Sequence, residues 1–328
     1  GCAHQLGRRG SLYARTNRQN PSHGILHVCG GGAQHCRTSV QQVEYRAGQG
    51  QKCAGAGDGV AWMKPFLKWA GGKYKIIDTI LQALPQGDLL IEPFVGSGAV
   101  FLNADYDGYW VADANVDLID LYQVIQSEGS GFVDYAASLF SPKYNNEKSY
   151  YILRDEFNGG TDVYRKSALF VYLNRHGFNG LCRYNSKGGF NVPFGRYVNP
   201  VFPEKEILNF YGKSKRAVFE VADFKSIMDK APLDSVIYCD PPYAPLTATS
   251  DFSSYTANGF DAKDQEDLAN SAKALASKGI PVVISNHDTA FTRSIYRDAT
   301  ITAFEVQRFI SCNGKKRGKA PELIASYF

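Results

Sequence analysis

The chain has 328 residues, 44% of them hydrophobic and 21% charged, with a formal net charge of +4 at pH 7. That is an ordinary globular composition with enough apolar residues for a core, and its length suits one large domain or two ordinary ones. No apolar run approaches the roughly 18 residues of a membrane span, and the first residues lack the charged stretch, apolar core and cleavage site of a secretory signal, so a cytoplasmic protein with no membrane partner is expected.

Residues 1–62 hold seven Lys/Arg against Glu44 and Asp58, four of the six histidines, and little apolar periodicity. They read as an extension without a fold of its own, the alternative being a basic arm for an anionic partner. His27, Cys29, His35 and Cys36 cluster there at a spacing that matches no zinc pattern, and no metal is expected. The seven cysteines form no Cys-x-x-Cys pair, as in a reduced cytosolic protein.

From Lys75 to Leu84 an amphipathic helix is predicted, followed by strands at Leu89–Glu92 and Tyr109–Ala112 and a helix over 116–127. The stretch 130–216 leaves this alternation. It has helical patterns at 149–157 and 164–174, then a Gly/Asn/Arg-rich run, 177–200, that reads as loop or hairpin. Between Arg165 and Arg216 lie ten Lys/Arg and only Glu204 and Glu206, whereas 63–328 as a whole holds 29 basic and 30 acidic residues. Such a local excess is either a solvated face or a footprint for phosphates, and the interleaved Tyr, Phe, Asn and Gly favour the latter. Alternation returns with strands at 218–221, 236–239 and 281–285 and a helix over 264–277. Strands at 301–308 and 322–327, split by a basic loop at 313–319, close the chain. The predicted fold is α/β, a parallel-rich Rossmann-like sheet interrupted by a mostly helical insertion.

Two motifs carry chemistry. The strand Ser235–Cys239 ends in Asp240-Pro241-Pro242-Tyr243. Two prolines cannot continue a hydrogen-bonded ladder, so the sheet stops there, at the strand end where α/β proteins bind ligands. The Asp240 carboxylate and the Pro241 carbonyl are acceptors beside a flat ring, Tyr243. That set suits a planar substrate with an exocyclic NH2, such as adenine; a proline-stiffened turn is the alternative. Earlier, Leu89-Leu90-Ile91-Glu92-Pro93-Phe94-Val95-Gly96-Ser97-Gly98 reads as strand and glycine loop, with Phe101 where a dinucleotide fingerprint needs its third glycine. Asp113 follows Gly96 by 17 residues, a distance suited to an acid that accepts from ribose hydroxyls, or to a helix N-cap. With no third glycine, S-adenosylmethionine fits the loop better than NAD.

From about Met63 to Phe328 the chain resembles the Dam-type DNA adenine-N6 methyltransferases. The resemblance is carried by Phe66-Leu67-Lys68-Trp69-Ala70-Gly71-Gly72-Lys73, the Glu92–Gly98 loop, Tyr172-Leu173-Asn174-Arg175, Asn179-Gly180-Leu181-Cys182-Arg183-Tyr184-Asn185, Phe190–Tyr197, Tyr238–Leu246 and Ile284–Asp288. It implies S-adenosylmethionine as cofactor and methylation of adenine N6 in double-stranded DNA, at GATC, after base flipping. It implies a catalytic core over 63–115 and 217–328 and a target-recognition module over 116–216. The protein is then a nucleoid-associated monomer that uses no metal.

The same resemblance assigns residues. Asp240, Pro241 and Tyr243 are catalytic. Trp69, Lys73, Phe94, Gly96, Gly98, Asp113 and Asp240 contact cofactor. Lys68, Phe178, Asn179, Leu181, Arg183, Pro193 and Arg196 contact DNA, with Phe178 standing where the family has tyrosine. Arg183 has the chemistry for a bidentate contact to guanine, or for phosphate alone. Tyr184 and Phe190 read as hairpin packing, and His287 as structural. Methylation of cytosine, RNA or protein glutamine, and a catalytically inactive DNA-binding protein, are the competing readings.

Overall fold

The computed structural model describes residues 61–246, 260–307 and 319–328. The basic loop expected at 313–319 falls almost wholly outside these, as do Arg308 and the whole histidine–cysteine cluster.

Seven strands form one sheet: β1 (Leu89–Glu92), β2 (Gly108–Asp113), β3 (Ala217–Val221), β4 (Ser235–Cys239), β5 (Val282–His287), β6 (Thr300–Gln307) and β7 (Lys319–Tyr327). Their spatial order is β3-β2-β1-β4-β5-β7-β6. β1 to β5 pair in parallel, and β7 runs antiparallel between β5 and β6. The chain builds outward from β1 in one direction, then crosses back to place β4 on its other side. Between β1 and β4 lies the switch point, where the loops leaving the two strands diverge and open a crevice.

The strands are apolar because both faces are covered. Every residue of β4 and β5 is buried, as expected for central parallel strands. Side chains alternate between two cores with the period of the pleat. Leu90, Tyr109, Val236, Tyr238 and Val283 face one, with Phe66, Phe101, Tyr122 and Phe210. Ile91, Ala112, Ile237, Cys239 and Ile284 face the other, with Leu268, Leu275 and Tyr296.

Among the described residues ten α-helices surround the sheet: α1 (Ile77–Ala83), α2 (Ala99–Asn103), α3 (Val116–Glu128), α4 (Ser130–Ala137), α5 (Glu147–Gly159), α6 (Val163–His176), α7 (Glu204–Ser214), α8 (Phe224–Met228), α9 (Ala262–Ala276) and α10 (Ala290–Ile295). Their starts obey side-chain rules. Asn115, Asn146 and Asp162 cap α3, α5 and α6, and Asp261 with Asp264 forms a capping box on α9. The helices over 116–214 share the first core with the sheet, and α6 is buried along almost its whole second half.

The segment 177–200 follows a hairpin path with a sparse main-chain ladder: Phe178 N donates to the Pro193 carbonyl (2.8 Å), Gly195 N to the His176 carbonyl (2.8 Å) and Asn191 N to the Arg183 carbonyl (3.0 Å). Among the described residues it makes two isolated antiparallel bridges, Gly177 to Phe194 and Tyr184 to Phe190, around a turn at Asn185–Gly189. Side chains take the backbone groups that a ladder would use. Asn158 of α5 accepts from Phe190 N (2.8 Å) and donates to its carbonyl (3.1 Å), and Tyr150 Oη donates to the Val192 carbonyl (2.9 Å). The segment read from sequence as loop or hairpin is thus a sparsely bonded hairpin strapped by side chains, a strapped loop.

Asn174 does the same at the loop's root. It is 2% exposed. Its Oδ1 accepts from Lys68 N at 2.9 Å, and its amide donates to the carbonyls of Lys68 (2.8 Å) and Gly180 (3.1 Å). Asn174→Ala takes this partner from the buried Gly180 carbonyl and from the part-buried N–H and carbonyl of Lys68. An expected loss of about 2–3 kcal/mol, read from the shift of a urea-denaturation midpoint, checks this role.

Candidate functional site

The crevice at the switch point is lined from both sides. After β1 the chain turns through Gly96 (φ 46°) and Gly98 (φ 71°) into α2. A Cβ on Gly96 would sit 2.8 Å from Trp69 Nε1, so the glycine allows the indole to lie against the loop. At the end of β2, Asp113 closes the loop from beneath. Its Oδ2 accepts from Gly96 N (3.1 Å) and its Oδ1 from Asn115 N (3.0 Å). Burial pushes the Asp113 carboxyl up, and these backbone donors pull it back. Tyr122 Oη adds a bond to the Gly96 carbonyl at 2.5 Å.

From the other side comes Asp240, at the end of β4. Its Oδ1 lies 2.7 Å from Lys73 Nζ and accepts from Ser285 Oγ at 3.1 Å. Lys73 is 6% exposed and donates also to the Gly71 carbonyl (2.5 Å). Its ammonium stands 4.5 Å above the centre of the Tyr243 ring. The turn that aims it, Trp69–Gly72, uses Gly71 at φ 75°. Burial pushes the Asp240 carboxyl above the ordinary range, and the Lys73 charge and the hydrogen bonds from Lys73 and Ser285 oppose the push. A 22% exposed Asp240 side chain keeps that push smaller than for an enclosed acid.

Loop 240–246 is held by β5 and α9. Asn286 Oδ1 accepts from Ala244 N (3.0 Å), and Gln265 Nε2 donates to the Pro242 carbonyl (2.7 Å). His287 Nδ1 lies 2.6 Å from the Ala244 carbonyl, and its ring meets Tyr243 edge-on at 4.7 Å. His287 is thus a support of the Tyr243 loop, as read from sequence.

Phe94 stands apart from the Trp69–Lys73–Tyr243 group. It stacks on Phe224 at 5.6 Å and meets Phe260 edge-on at 5.6 Å, beside Asp223, at the ends of β1 and β3. Asp223 and Phe224 carried the same strand-then-acid signal as Asp113 and were not singled out in the sequence. Glu92 was also passed over. It is 2% exposed, its Oε1 has no hydrogen-bond partner among the described residues, and burial with the nearby Asp240 charge holds its carboxyl well above 4.5.

Residues from two remote segments gather on the strapped loop. The Lys68 ammonium is 4.6 Å above the Tyr197 ring, and a Cβ on Gly180 would meet Lys68 Cδ at 2.3 Å. Asn179 (φ 55°) has its backbone N–H on Tyr197 Oη at 3.0 Å. Phe178, Asn179, Arg183, Pro193 and Arg196 are exposed, and Leu181 is half-buried against the core. Arg183 donates from Nε to Asn191 Oδ1 (2.8 Å) and from Nη2 to the Asn191 carbonyl (3.3 Å). Among the described residues no cluster of three or more His, Cys, Asp or Glu could hold a metal ion, and no helix is long and apolar enough to cross a membrane.

A family model for the D12 class N6 adenine-specific DNA methyltransferase matches residues 69–310, which includes every one of these site residues except Lys68. The chain belongs to that family. It is 51% identical over 265 residues to a DNA adenine methylase of Serratia marcescens, covering 80% of this chain and 98% of that protein. It is 49% identical over 264 residues to one of Escherichia coli K12, covering 80% and 95%. The C-terminal domain of precorrin-6Y C5,15-methyltransferase from Rhodobacter capsulatus aligns at 10% identity and a TM-score of 0.32 over 77% of this chain and 88% of that one, a likeness too weak to bear on function. The methyltransferase is Dam-type, and its crevice is a candidate for the place where methyl donor and adenine meet.

The buried carboxyl beside that crevice gives a pH signature. Folded Glu92 keeps its proton well above pH 4.5, where the unfolded chain releases it. The stability this contributes is complete below pH 4.5 and is lost as pH rises toward the folded value. Glu92→Gln keeps the shape and removes the titration. The fall in melting temperature from about pH 5 to about pH 8 is expected to be smaller in the variant than in the wild type.

Proposed function

We propose that the protein transfers the methyl group of S-adenosylmethionine to N6 of an adenine flipped out of double-stranded DNA, within GATC. The observation that carries this reading is the Lys73–Asp240–Tyr243 constellation, where an ion-paired carboxylate and an aromatic face border one crevice. The donor set fits the cofactor. Gly96 and Gly98 allow close backbone approach, Trp69 walls the loop, Asp113 stands ready for ribose hydroxyls, and the Phe94 ring with its neighbours offers a face for the cofactor's adenine. When bound, S-adenosylmethionine supplies an electrophilic methyl group.

The protein's part is positioning. The N6 lone pair of adenine is delocalised into the ring. Acceptors for the two N6 hydrogens, Asp240 and the Pro241 carbonyl, favour its rehybridisation, and Tyr243 stacks on the base. Such orientation supplies about 7–11 kcal/mol of barrier reduction in favourable cases. Asp240, ionised, takes up the positive charge that N6 gains on attack and then its proton. Gln265 and Asn286 fix the loop so that these acceptors need not reorganise.

An adenine inside a duplex cannot reach this crevice, and extruding it costs a few kcal/mol. The module over 116–216 offsets that cost. Exposed Phe178 wedges into the stack, Arg196 meets phosphate, and Lys68, Asn179, Leu181, Arg183 and Pro193 read or fill space at the flanking bases. Arg183 is pre-oriented by Asn191, which engages Nε and one N–H of Nη2 and leaves Nη1 and the second Nη2 hydrogen for a bidentate contact to guanine. The protein is taken to act as a monomer on DNA of the nucleoid.

Two variants test the reading. Asp240→Ala is expected to retain duplex binding and lose at least about a hundredfold in single-turnover methylation. Near-normal turnover would remove Asp240 from the catalytic role. Arg183→Ala is expected to lower discrimination between GATC and duplexes changed at one base by about 1–3 kcal/mol. An equal loss on every duplex would place Arg183 on phosphate instead.

A further inference from the structure

Arg183 and Asp113 lie in segments assigned to different tasks, yet a short set of contacts joins them. α3 starts three residues after Asp113, with Asn115 as its N-cap. Asn115 donates its backbone N–H to Asp113 Oδ1, caps the helix by accepting from Leu118 N at 3.2 Å, and reaches Cys182 Sγ with its amide at 3.8 Å. Two residues on, in the first turn of α3, Asp117 is engaged at both oxygens by different elements. Tyr184 Oη donates to Oδ2 at 2.7 Å, and Lys166 of α6 sits 2.7 Å from Oδ1. The Asp117 and Lys166 side chains are 17% and 26% exposed, so this group is mostly withdrawn from water and is not a screened surface pair.

Cys182 and Tyr184 flank Arg183 in the recognition loop, and Tyr184 makes the shorter contact to the start of α3. Its ring meets the buried Phe190 edge-on at 5.8 Å and 89°. Neighbouring residues of an extended strand point to opposite sides. Tyr184 therefore faces inward while Arg183 faces out, and the depth at which the hydroxyl is moored sets where the guanidinium stands. Main-chain bonds from Asn185 N to the Gly189 carbonyl (2.9 Å) and from Asn191 N to the Arg183 carbonyl (3.0 Å) fix the two arms of the loop against each other, but not against α3.

We infer that the Tyr184–Asp117 hydrogen bond registers the recognition loop against the helix that follows Asp113, which makes Tyr184 a positioning residue for base discrimination and for cofactor binding at once. The inference rests on the function proposed above. Loss of the hydroxyl frees the loop to shift relative to α3, so Arg183 loses its fixed distance from the duplex. It also frees the α3 start, so Asn115 holds Asp113 less firmly. A residue that only packed the loop would affect the first and leave the second unchanged.

The test uses the full chain and three variants: Tyr184→Phe, Asp117→Asn and Arg183→Ala. Binding of S-adenosylhomocysteine is measured by calorimetry, and the ratio of methylation rates on GATC and on one-base-changed duplexes is measured alongside a melting curve. In Tyr184→Phe the rate ratio is expected to fall about tenfold and the analogue to bind several-fold more weakly, the scale of one hydrogen bond to a charged acceptor. Asp117→Asn keeps one oxygen for the tyrosine but loses the charge and sets an amide against Lys166, so both quantities should fall together, by no more than in Tyr184→Phe. Arg183→Ala should change the ratio alone. A folded Tyr184→Phe protein with unchanged analogue affinity overturns the inference while leaving the proposed function standing. A wild-type chain that binds no analogue and spares GATC DNA overturns both.

Discussion

The ion pair between Lys73 and Asp240 is the constraint around which the rest of the site is arranged. A carboxylate at the end of a central strand, beside a second buried acid, has every reason to take a proton and become a poor acceptor. Lys73 supplies the opposing charge from a different part of the chain. To deliver it, the Trp69–Gly72 turn must pass close to the glycine loop, and Gly71 and Gly96 both adopt left-handed backbone to permit this. The same ammonium rests on the Tyr243 face, so the pair also fixes the ring. A buried pair of this kind is a weak source of stability, because both charges lose water. Its value lies in the ionisation state it imposes.

The recognition loop follows a comparable logic with neutral groups. A Gly- and Asn-rich segment cannot hold its register through a sheet, since it has few apolar side chains to commit to one face. Side chains from α5 and α6 hold it instead: Asn158 at Phe190, Tyr150 at Val192 and Asn174 at its root. With the loop held from beneath, it can present Phe178, Asn179 and Arg183 outward.

The sheet was legible from the sequence where apolar runs stop at turn residues. Leu89–Glu92, Tyr109–Ala112 and Val236–Cys239 lie within β1, β2 and β4, and the helices at 116–127, 149–157 and 164–174 lie within α3, α5 and α6. α4 and α8 were not singled out, being only eight and five residues long. Of the proposed site, the motif residues could be named because glycine, proline and acid leave a local signature. Glu92 could not, since its significance arises only when Asp240 arrives from a distant strand. The Tyr184–Asp117 contact was hidden for the same reason: tyrosine in a polar loop and aspartate in a first helical turn are each ordinary, and only the tertiary fold brings them within 2.7 Å.

If Lys73 keeps Asp240 ionised, removing its charge must show in the pH dependence of the chemical step. The decisive measurement is the single-turnover methylation rate of Lys73→Met as a function of pH, at saturating cofactor and duplex. Without the ammonium, the Asp240 carboxyl rises further, and the acid limb of the profile is expected to move to higher pH. Activity lost at neutral pH should then return in part at alkaline pH. A profile lowered uniformly, with its acid limb where the wild type has it, would show that Lys73 acts in some other way and that the ion pair does not set the state of the acid.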